Sequence, residues 1–381
     1  MKTIWFVVRG YPTKENSSFA FLQPVIRGFA DKGIECVVFA PQTVNGRRNR
    51  RTNRPKEWFD VTEKGNKITI VQPKYFSLPG IKIKGVQLNI WERERVLVRA
   101  LRSFAVKGTP DLIYAHFWDC AMMSSGFCLK NNIPLVAVCG ESRIDIKRYY
   151  SRERLSERLK AVRGVICVST KNKKECEKLG LITESSKVIV SPNAIETSLF
   201  FKQDRSQAKK KLGLSDGDFA ISYVGRYSER KGVNRLIEAA RSVPDAKLIL
   251  IGYGGELIAS DQIHIAKRVA HEEVSEYLNA SDVYCLPTEA EGCCNSIVEA
   301  MACGLPIVSS DLEFNDDIID ADNSIRIDPL NVGEIAKALR TLRDDERLRE
   351  KMGRRSLERA HDMTIDARIE VLLKFIQSVT D

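Results

Sequence analysis

The sequence predicts an α/β protein made of two doubly wound domains, and three observations carry that prediction. Short apolar runs rich in Val, Ile and Phe alternate with longer amphipathic segments, as strands joined by crossover helices do. The alternation runs through residues 1–195 and starts afresh at 219. Charge divides at the same place. Residues 1–195 hold 35 Lys+Arg against 17 Asp+Glu, a net +18, and residues 196–381 hold 25 against 33, a net −8, which together give the +10 of the chain. The predicted domains are therefore 1–195, with a C-terminal helix over 364–379 packing back on it, and 196–363.

In order, TIWFVV (3–8) reads as the first strand rather than as part of a signal peptide, because no small-residue cleavage site follows MKTIWFVVRGYP. IECVVFA (34–40), KITIVQ (67–72), DLIYAH (111–116), PLVAVC (134–139), GVICVS (164–169) and KVIVSP (187–192) continue the series. Several are apolar throughout, as strands of a parallel sheet covered on both faces must be. Helices are expected over 20–32, 86–107, 119–131, 150–162 and 170–178. After a polar linker over 196–218 with a short basic helix, FAISYVG (219–225), AKLILIG (246–252), QIHIA (262–266), DVYCLP (282–287) and PIVSS (306–310) form the second set of strands. Its helices are expected over 232–241, 271–279, 295–302, 331–342 and 364–379. Two such sheets place two sets of strand C-termini facing each other across a cleft, where ligands of doubly wound sheets bind.

Composition excludes several classes. No apolar run approaches the roughly 18 residues that a membrane span needs. The ten cysteines include no CxxC pair and mostly sit in apolar runs, the usage of a reducing compartment, so a cytoplasmic protein is expected. Four histidines make a histidine-based metal site unexpected, and Asp316-Asp317 and Asp344-Asp345 read as surface residues. The basic first half suits an anionic lipid surface, a phosphate-bearing acceptor or nucleic acid. NGRRNRRTNRPKEW (45–58), with five arginines and a lysine, reads as a solvated loop or as a contact with acidic lipid head groups or a phosphorylated acceptor. The basic segment 147–163, with Tyr149, Tyr150, Leu155, Leu159 and Val162 near one side, reads either as a surface helix or as one lying on a membrane.

Two motifs carry chemistry. In VGRYSERKG (224–232), Gly225 ends a strand, Arg226 and Lys231 put two cations on a short loop, and Gly232 opens a helix. A fork and a point charge beside a helix N-terminus suit a diphosphate. In LPTEAEGCCNSIVEAMACGLP (286–306), a helix is expected to open at Asn295 or Ser296, both good N-caps. Glu291 then lies above the helix and Glu299 one turn inside it. Unpartnered buried carboxylates are costly, so these two need hydroxyl donors, while the free amides around Cys294, Asn295 and Ser296 need an anion. A nucleotide-sugar offers both.

These motifs, in this order and followed by AMACGLPIV, resemble the signature of glycosyltransferase family 4. The resemblance extends to KLILIGYGGE (247–256) and SDVYCLPT (281–288) and covers nearly the whole chain. It implies the GT-B fold, two Rossmann-like domains, and retaining, metal-independent transfer from a nucleoside-diphosphate sugar. By that resemblance Arg226 and Lys231 bind the diphosphate, beside Gly225, and Glu291 sits beside the donor sugar. Glu299 holds the ribose hydroxyls. The amides from Cys293 through Cys294 and Asn295 to Ser296 contact sugar and phosphate, the backbone of Arg268 and Val269 reads the base, and His116 approaches the donor sugar. Gly10 stands alone where family members often carry a glycine pair. Cys139-Gly140-Glu141 stands where many have a histidine followed by Gly or Asp. The acceptor is expected to be lipid-linked or a polysaccharide of cell-surface glycan synthesis, and the protein to work peripherally at the inner membrane face.

Rival readings are a nucleotide-sugar epimerase on the same fold and a non-catalytic sugar- or lipid-binding scaffold. A dinucleotide enzyme would rest on GYGGEL (252–257), where Leu257 replaces the third glycine. A nucleic-acid binder lacks interleaved aromatic-basic motifs, so no nucleic acid is expected as a partner.

Overall fold

The computed structural model describes residues 1–13, 18–44, 55–77, 82–83 and 86–380. The described chain divides into two compact units. One comprises Met1–Val168, Asn172–Ser191 and Ile369–Asp381, the other Ser169–Lys171 and Pro192–Arg368. The helix Ile365–Thr380 thus begins in the second unit and ends in the first.

The first unit is built on eight strands: β1 (Thr3–Val7), β2 (Glu35–Phe39), β3 (Glu57–Val61), β4 (Lys67–Val71), β5 (Leu112–His116), β6 (Leu135–Cys139), β7 (Val162–Cys167) and β8 (Lys187–Val190). Their spatial order is β8-β7-β6-β5-β1-β2-β4-β3. All pairings are parallel except β3 with β4. Strand order therefore reverses between β1 and β5, whose register brings Val7 opposite Ala115. Every residue of β5 and β6 is buried, which explains why these strands read as unbroken apolar runs.

The second unit repeats the plan with β9 (Phe219–Tyr227), β10 (Ala246–Gly254), β11 (Ile263–Lys267), β12 (Val283–Leu286), β13 (Ile307–Ser310) and β14 (Ser324–Ile327). They form one parallel sheet in the order β11-β10-β9-β12-β13-β14. Here the reversal falls between β9 and β12. In such sheets the crevice beyond the strand C-termini at the reversal is where ligands bind.

The structure departs from expectation in four places. Residues 196–218, expected as a linker, are folded into the second unit. Phe200 is buried there, and Lys209, in the helix Arg205–Lys211, is buried with its ammonium 2.9 Å from Asp282. The edge strand β3 was not expected, because its pattern is mostly exposed and its Phe59 and Val61 face solvent. Nor were β14 and the helix Glu346–His361, both too polar to stand out by periodicity. Lastly, the apolar side of segment 147–163 is not available to a membrane. Tyr150, Leu155, Leu159 and Val162 are all buried, within the core of the first unit. The arginine run of the loop 45–58 falls at 45–54, outside the described residues.

All ten cysteines are free and buried, in keeping with thiols used as small hydrophobes. No described helix is long and apolar enough to cross a membrane.

Candidate active site

In the second unit, β9 delivers the first motif. The strand ends at Tyr227, a single 3-10 turn follows over Glu229–Lys231, and a helix opens at Val233. Gly232 makes this turn possible. Its φ is +73°, and a Cβ there would lie 2.3 Å from the Pro287 carbonyl oxygen, so only glycine allows the turn to press against the end of β12. The turn carries Lys231 to that strand's loop, where its Nζ lies 2.7 Å from Glu291 Oε1.

Three donors converge on that oxygen: Lys231 Nζ, Arg230 Nη1 at 3.1 Å and Thr288 Oγ1 at 2.9 Å. The loop itself is held by the Glu289 N–H bonded to the Arg230 carbonyl and by Arg235, which donates to the Pro287 carbonyl and to Glu289. Lys231 and Glu291 are largely buried, at 15% and 13% side-chain exposure. Burial alone would lower the Lys231 pKa. The Cys294 sulfur and the Glu291 carboxylate outweigh it, so the amine is held above its ordinary value and stays an ammonium.

Glu299 lies one turn inside the helix Asn295–Ala302. Its Oε1 is 3.0 Å from His271 Nε2, a contact between residues 28 apart in sequence that no motif announced. The N-cap is Cys294, with no side-chain cap, rather than Asn295 or Ser296 as expected. Asn295 is instead engaged by Asn193, whose amide also donates to the Cys293 carbonyl, and Ser296 Oγ lies 2.6 Å from the Tyr284 hydroxyl. The Asn295 and Ser296 N–H groups at the start of the helix are thus left without a side-chain cap. Both loop thiols are pushed up, Cys293 to about 12, by burial.

Arg226 is exposed, and among the described residues its guanidinium makes no ion pair. Arg268 is exposed too, with its Cζ 4.9 Å from the centre of the Tyr253 ring, and Val269 beside it is half-buried. Gly225 and Gly252 face each other across β9 and β10, and a Cβ on Gly252 would meet the Gly225 carbonyl oxygen at 1.8 Å. Gly252 and Gly254 of GYGGEL thus serve close strand packing, a Cβ on Gly254 lying 2.5 Å from the Tyr227 carbonyl oxygen. The structure therefore brings Lys231, Glu291, Cys294 and Ser296 together at one reversal point, with Glu299 on the same short helix. Sequence reasoning missed Arg230, Thr288 and His271. Arg230 lay inside the motif already singled out.

In the first unit, Gly10 follows β1 and His116 ends β5, so both lie at that sheet's own reversal. A Cβ on Gly10 would come 2.9 Å from the Phe19 ring. His116 is buried, its ring between those of Phe21 and Phe117, with centroids 5.4 and 4.6 Å away. Phe117 has φ +81°, and from it springs the helix Trp118–Asn131. Glu141 closes that helix: its Oε1 accepts the Trp118 N–H at 2.7 Å and its Oε2 the Gly140 N–H at 3.0 Å. Burial pushes the Glu141 carboxyl up to about 7 against the pull of the Trp118 N–H. The glutamate of Cys139-Gly140-Glu141 is thus a helix cap beside His116, and a Cβ on Gly140 would lie 3.3 Å from His116 Nε2.

Among the described residues no cluster of three or more His, Cys, Asp or Glu side chains is arranged to hold a metal ion.

Residues 22–199 match the family described as Glycosyltransferase Family 4, and residues 204–359 the family described as Glycosyl transferases group 1. The chain is 26% identical over 356 residues to TuaC of Bacillus subtilis (strain 168), named for teichuronic acid biosynthesis, covering 89% of this chain and 88% of that one. It is 28% identical over 178 residues to an Escherichia coli enzyme named as UDP-Gal:alpha-D-GlcNAc-diphosphoundecaprenol alpha-1,3-galactosyltransferase, covering 42% and 46%. Among solved structures, sucrose-phosphate synthase of Thermosynechococcus elongatus superposes with a TM-score of 0.79 at 18% identity, covering 100% and 99%. Anabaena HepE in complex with UDP-glucose does so with 0.73 at 18%, covering 99% and 100%.

Proposed function

Because the chain belongs to glycosyltransferase family 4 and has the GT-B fold of two Rossmann-like domains, we propose that it is a retaining enzyme that moves a sugar from a UDP- or GDP-sugar to a lipid-linked or polysaccharide acceptor. That it is a glycosyltransferase follows from the family. The observation that carries the finer reading is the buried Lys231–Glu291 pair at the reversal between β9 and β12, with Glu299 in the helix that follows. In this reading Lys231 and Arg226 bind the diphosphate and stabilise the negative charge that grows on it as the sugar departs. The uncapped amides at Asn295 and Ser296 add donors for the same oxygens, and Glu299 takes ribose hydroxyls. Glu291, its Oε1 already committed to three donors, holds Lys231 in place and borders the sugar. Arg268 and Val269 meet the base. His116 is proposed to approach the sugar.

Retention fits attack by the acceptor hydroxyl on the face from which the diphosphate leaves, with a diphosphate oxygen accepting the proton. No metal is required in this scheme. Support for the acceptor class comes from the relatives' names, one in teichuronic acid biosynthesis and one acting on a diphosphoundecaprenol-linked sugar. Work at the inner membrane face from the cytoplasm is part of the same proposal, supported by the net charge of the first half.

Calorimetric titration of UDP, GDP and ADP, with and without EDTA, tests the reading. One nucleotide should bind in the micromolar range independently of EDTA, and Glu299→Ala should weaken it while leaving the melting temperature unchanged. Equal binding by wild type and variant would remove Glu299 from the site, and loss of binding in EDTA would overturn the metal-free scheme.

A further inference from the structure

His271 opens a 3-10 turn, His271–Glu273, that runs into the helix Val274–Asn279. Its ring packs 5.2 Å from that of the buried Phe200, and its Nε2 points at Glu299 Oε1 from 3.0 Å. Both partners are shielded, with side-chain exposures of 29% and 13%. A glutamate has three rotatable bonds, so a carboxylate meant to meet two hydroxyls at fixed positions gains from having one oxygen anchored.

We propose that His271 is a positioning residue for the donor nucleotide, holding Glu299 Oε1 so that Oε2 is presented to the ligand. The inference rests on the donor-site reading above and deepens it. It also carries a charge consequence. The groups that bear on the imidazole are Glu299 from the neighbouring helix, Glu196 from the segment before the helix Arg205–Lys211, and Glu272 from its own turn. Burial lowers the His271 pKa, but the bond to Glu299 and these three carboxylates raise it further, so the net shift is upward from 6.5. Below that raised value the pair is neutral. Above it the pair carries the full carboxylate charge beside a bound diphosphate, and affinity should fall.

The test is the dissociation constant of UDP, or of GDP or ADP if wild type prefers it, measured from pH 6 to 9. The proteins are wild type, His271→Gln, which keeps a neutral N–H donor, His271→Phe, which keeps a ring of similar size but donates nothing, Glu299→Ala, and the double variant His271→Phe/Glu299→Ala. His271→Phe should bind about tenfold more weakly than wild type, the scale of one hydrogen bond to a charged group. On the Glu299→Ala background the same change should do nothing further. His271→Gln should restore the affinity lost in His271→Phe at pH 9 and fall about fivefold short of wild type at pH 6, where only histidine neutralises the carboxylate. The titration of the nucleotide itself is common to all proteins and cancels in these ratios.

If His271→Phe binds like wild type while Glu299→Ala is impaired, the positioning role is wrong and the donor site stands. An undiminished effect of His271→Phe on the Glu299→Ala background would show that His271 acts elsewhere. Unimpaired Glu299→Ala would overturn both. Should His271→Phe fail to fold, the His271→Gln profile decides: a constant ratio to wild type across the pH range would overturn the proposal.

Discussion

Lys231 and Glu291 stand 60 positions apart, yet the geometry makes them one unit. Removing the lysine would take away the proposed phosphate contact, and it leaves a largely buried carboxylate with only Arg230 and Thr288. Lys231→Ala should therefore raise the barrier governing kcat/KM by roughly 2–4 kcal/mol, the scale of a lost charge-stabilising group in a shielded site. Lys231→Arg should recover part of it. Steady-state kinetics with the donor identified by titration check this, and wild-type kinetics in Lys231→Ala would remove the residue from the site. The motif made Lys231 legible as a candidate phosphate-binding cation. Its bond to Glu291 was not legible, because a pairing across two loops depends on the approach of the β9 turn to the end of β12, which Gly232 permits. His271 lay further out of reach. A histidine in a polar stretch has no signature until its partner on another helix is known.

Among the elements, strand runs were legible where burial is complete, as in β5 and β6. They were not where polarity hides the period. The helix Arg152–Leu159 shows a different limit: an amphipathic pattern says that one side is apolar, not whether that side meets lipid or core. The helix Trp118–Asn131 carries a prediction of its own, through the glutamate that closes its first turn. The folded pKa of Glu141, about 7, lies above its ordinary 4.5. Folding thus favours the protonated form, and that contribution is present below pH 4.5 and lost as pH rises through 7. Its size is about 3 kcal/mol at most. Melting temperatures of wild type and Glu141→Gln at pH 5 and pH 8 should diverge, with wild type losing ground at pH 8. Parallel pH profiles would show that the cap does not titrate in this range.

At the scale of the whole molecule, the +18 of the first half needs a surface to act through. The helix Leu88–Ala105 offers one. Trp91, Arg95, Val98, Arg99 and Arg102 recur at intervals of about one turn and so share a face. Trp91 is 48% exposed, with the Arg95 guanidinium 5.8 Å from its ring centre. Under the membrane reading proposed above, this face, on which Arg95 also pairs with Glu92 at 2.9 Å, rather than the buried apolar side of the helix Arg152–Leu159, is the expected contact with an anionic bilayer. Basic residues at such a surface contribute about 1 kcal/mol each. Co-sedimentation with phosphatidylglycerol vesicles at low salt should therefore be abolished in Arg95→Glu/Arg99→Glu/Arg102→Glu. Equal sedimentation of the variant would exclude the face, and no sedimentation of wild type would exclude the membrane.

The uniform burial of the thiols gives the protein a reporter of its own opening. Cys285, Cys293, Cys294 and Cys303 lie in the second unit and the other six in the first. An alkylating reagent then finds nothing to modify until a unit unfolds, and the mass it adds tells which one has done so. Intact-mass kinetics under mild denaturant would resolve a four-adduct species from a six-adduct one, with no engineered label. Nucleotide binding at the proposed donor site should then register as a slowing of the four-adduct series, locating its protective effect in the second half of the chain.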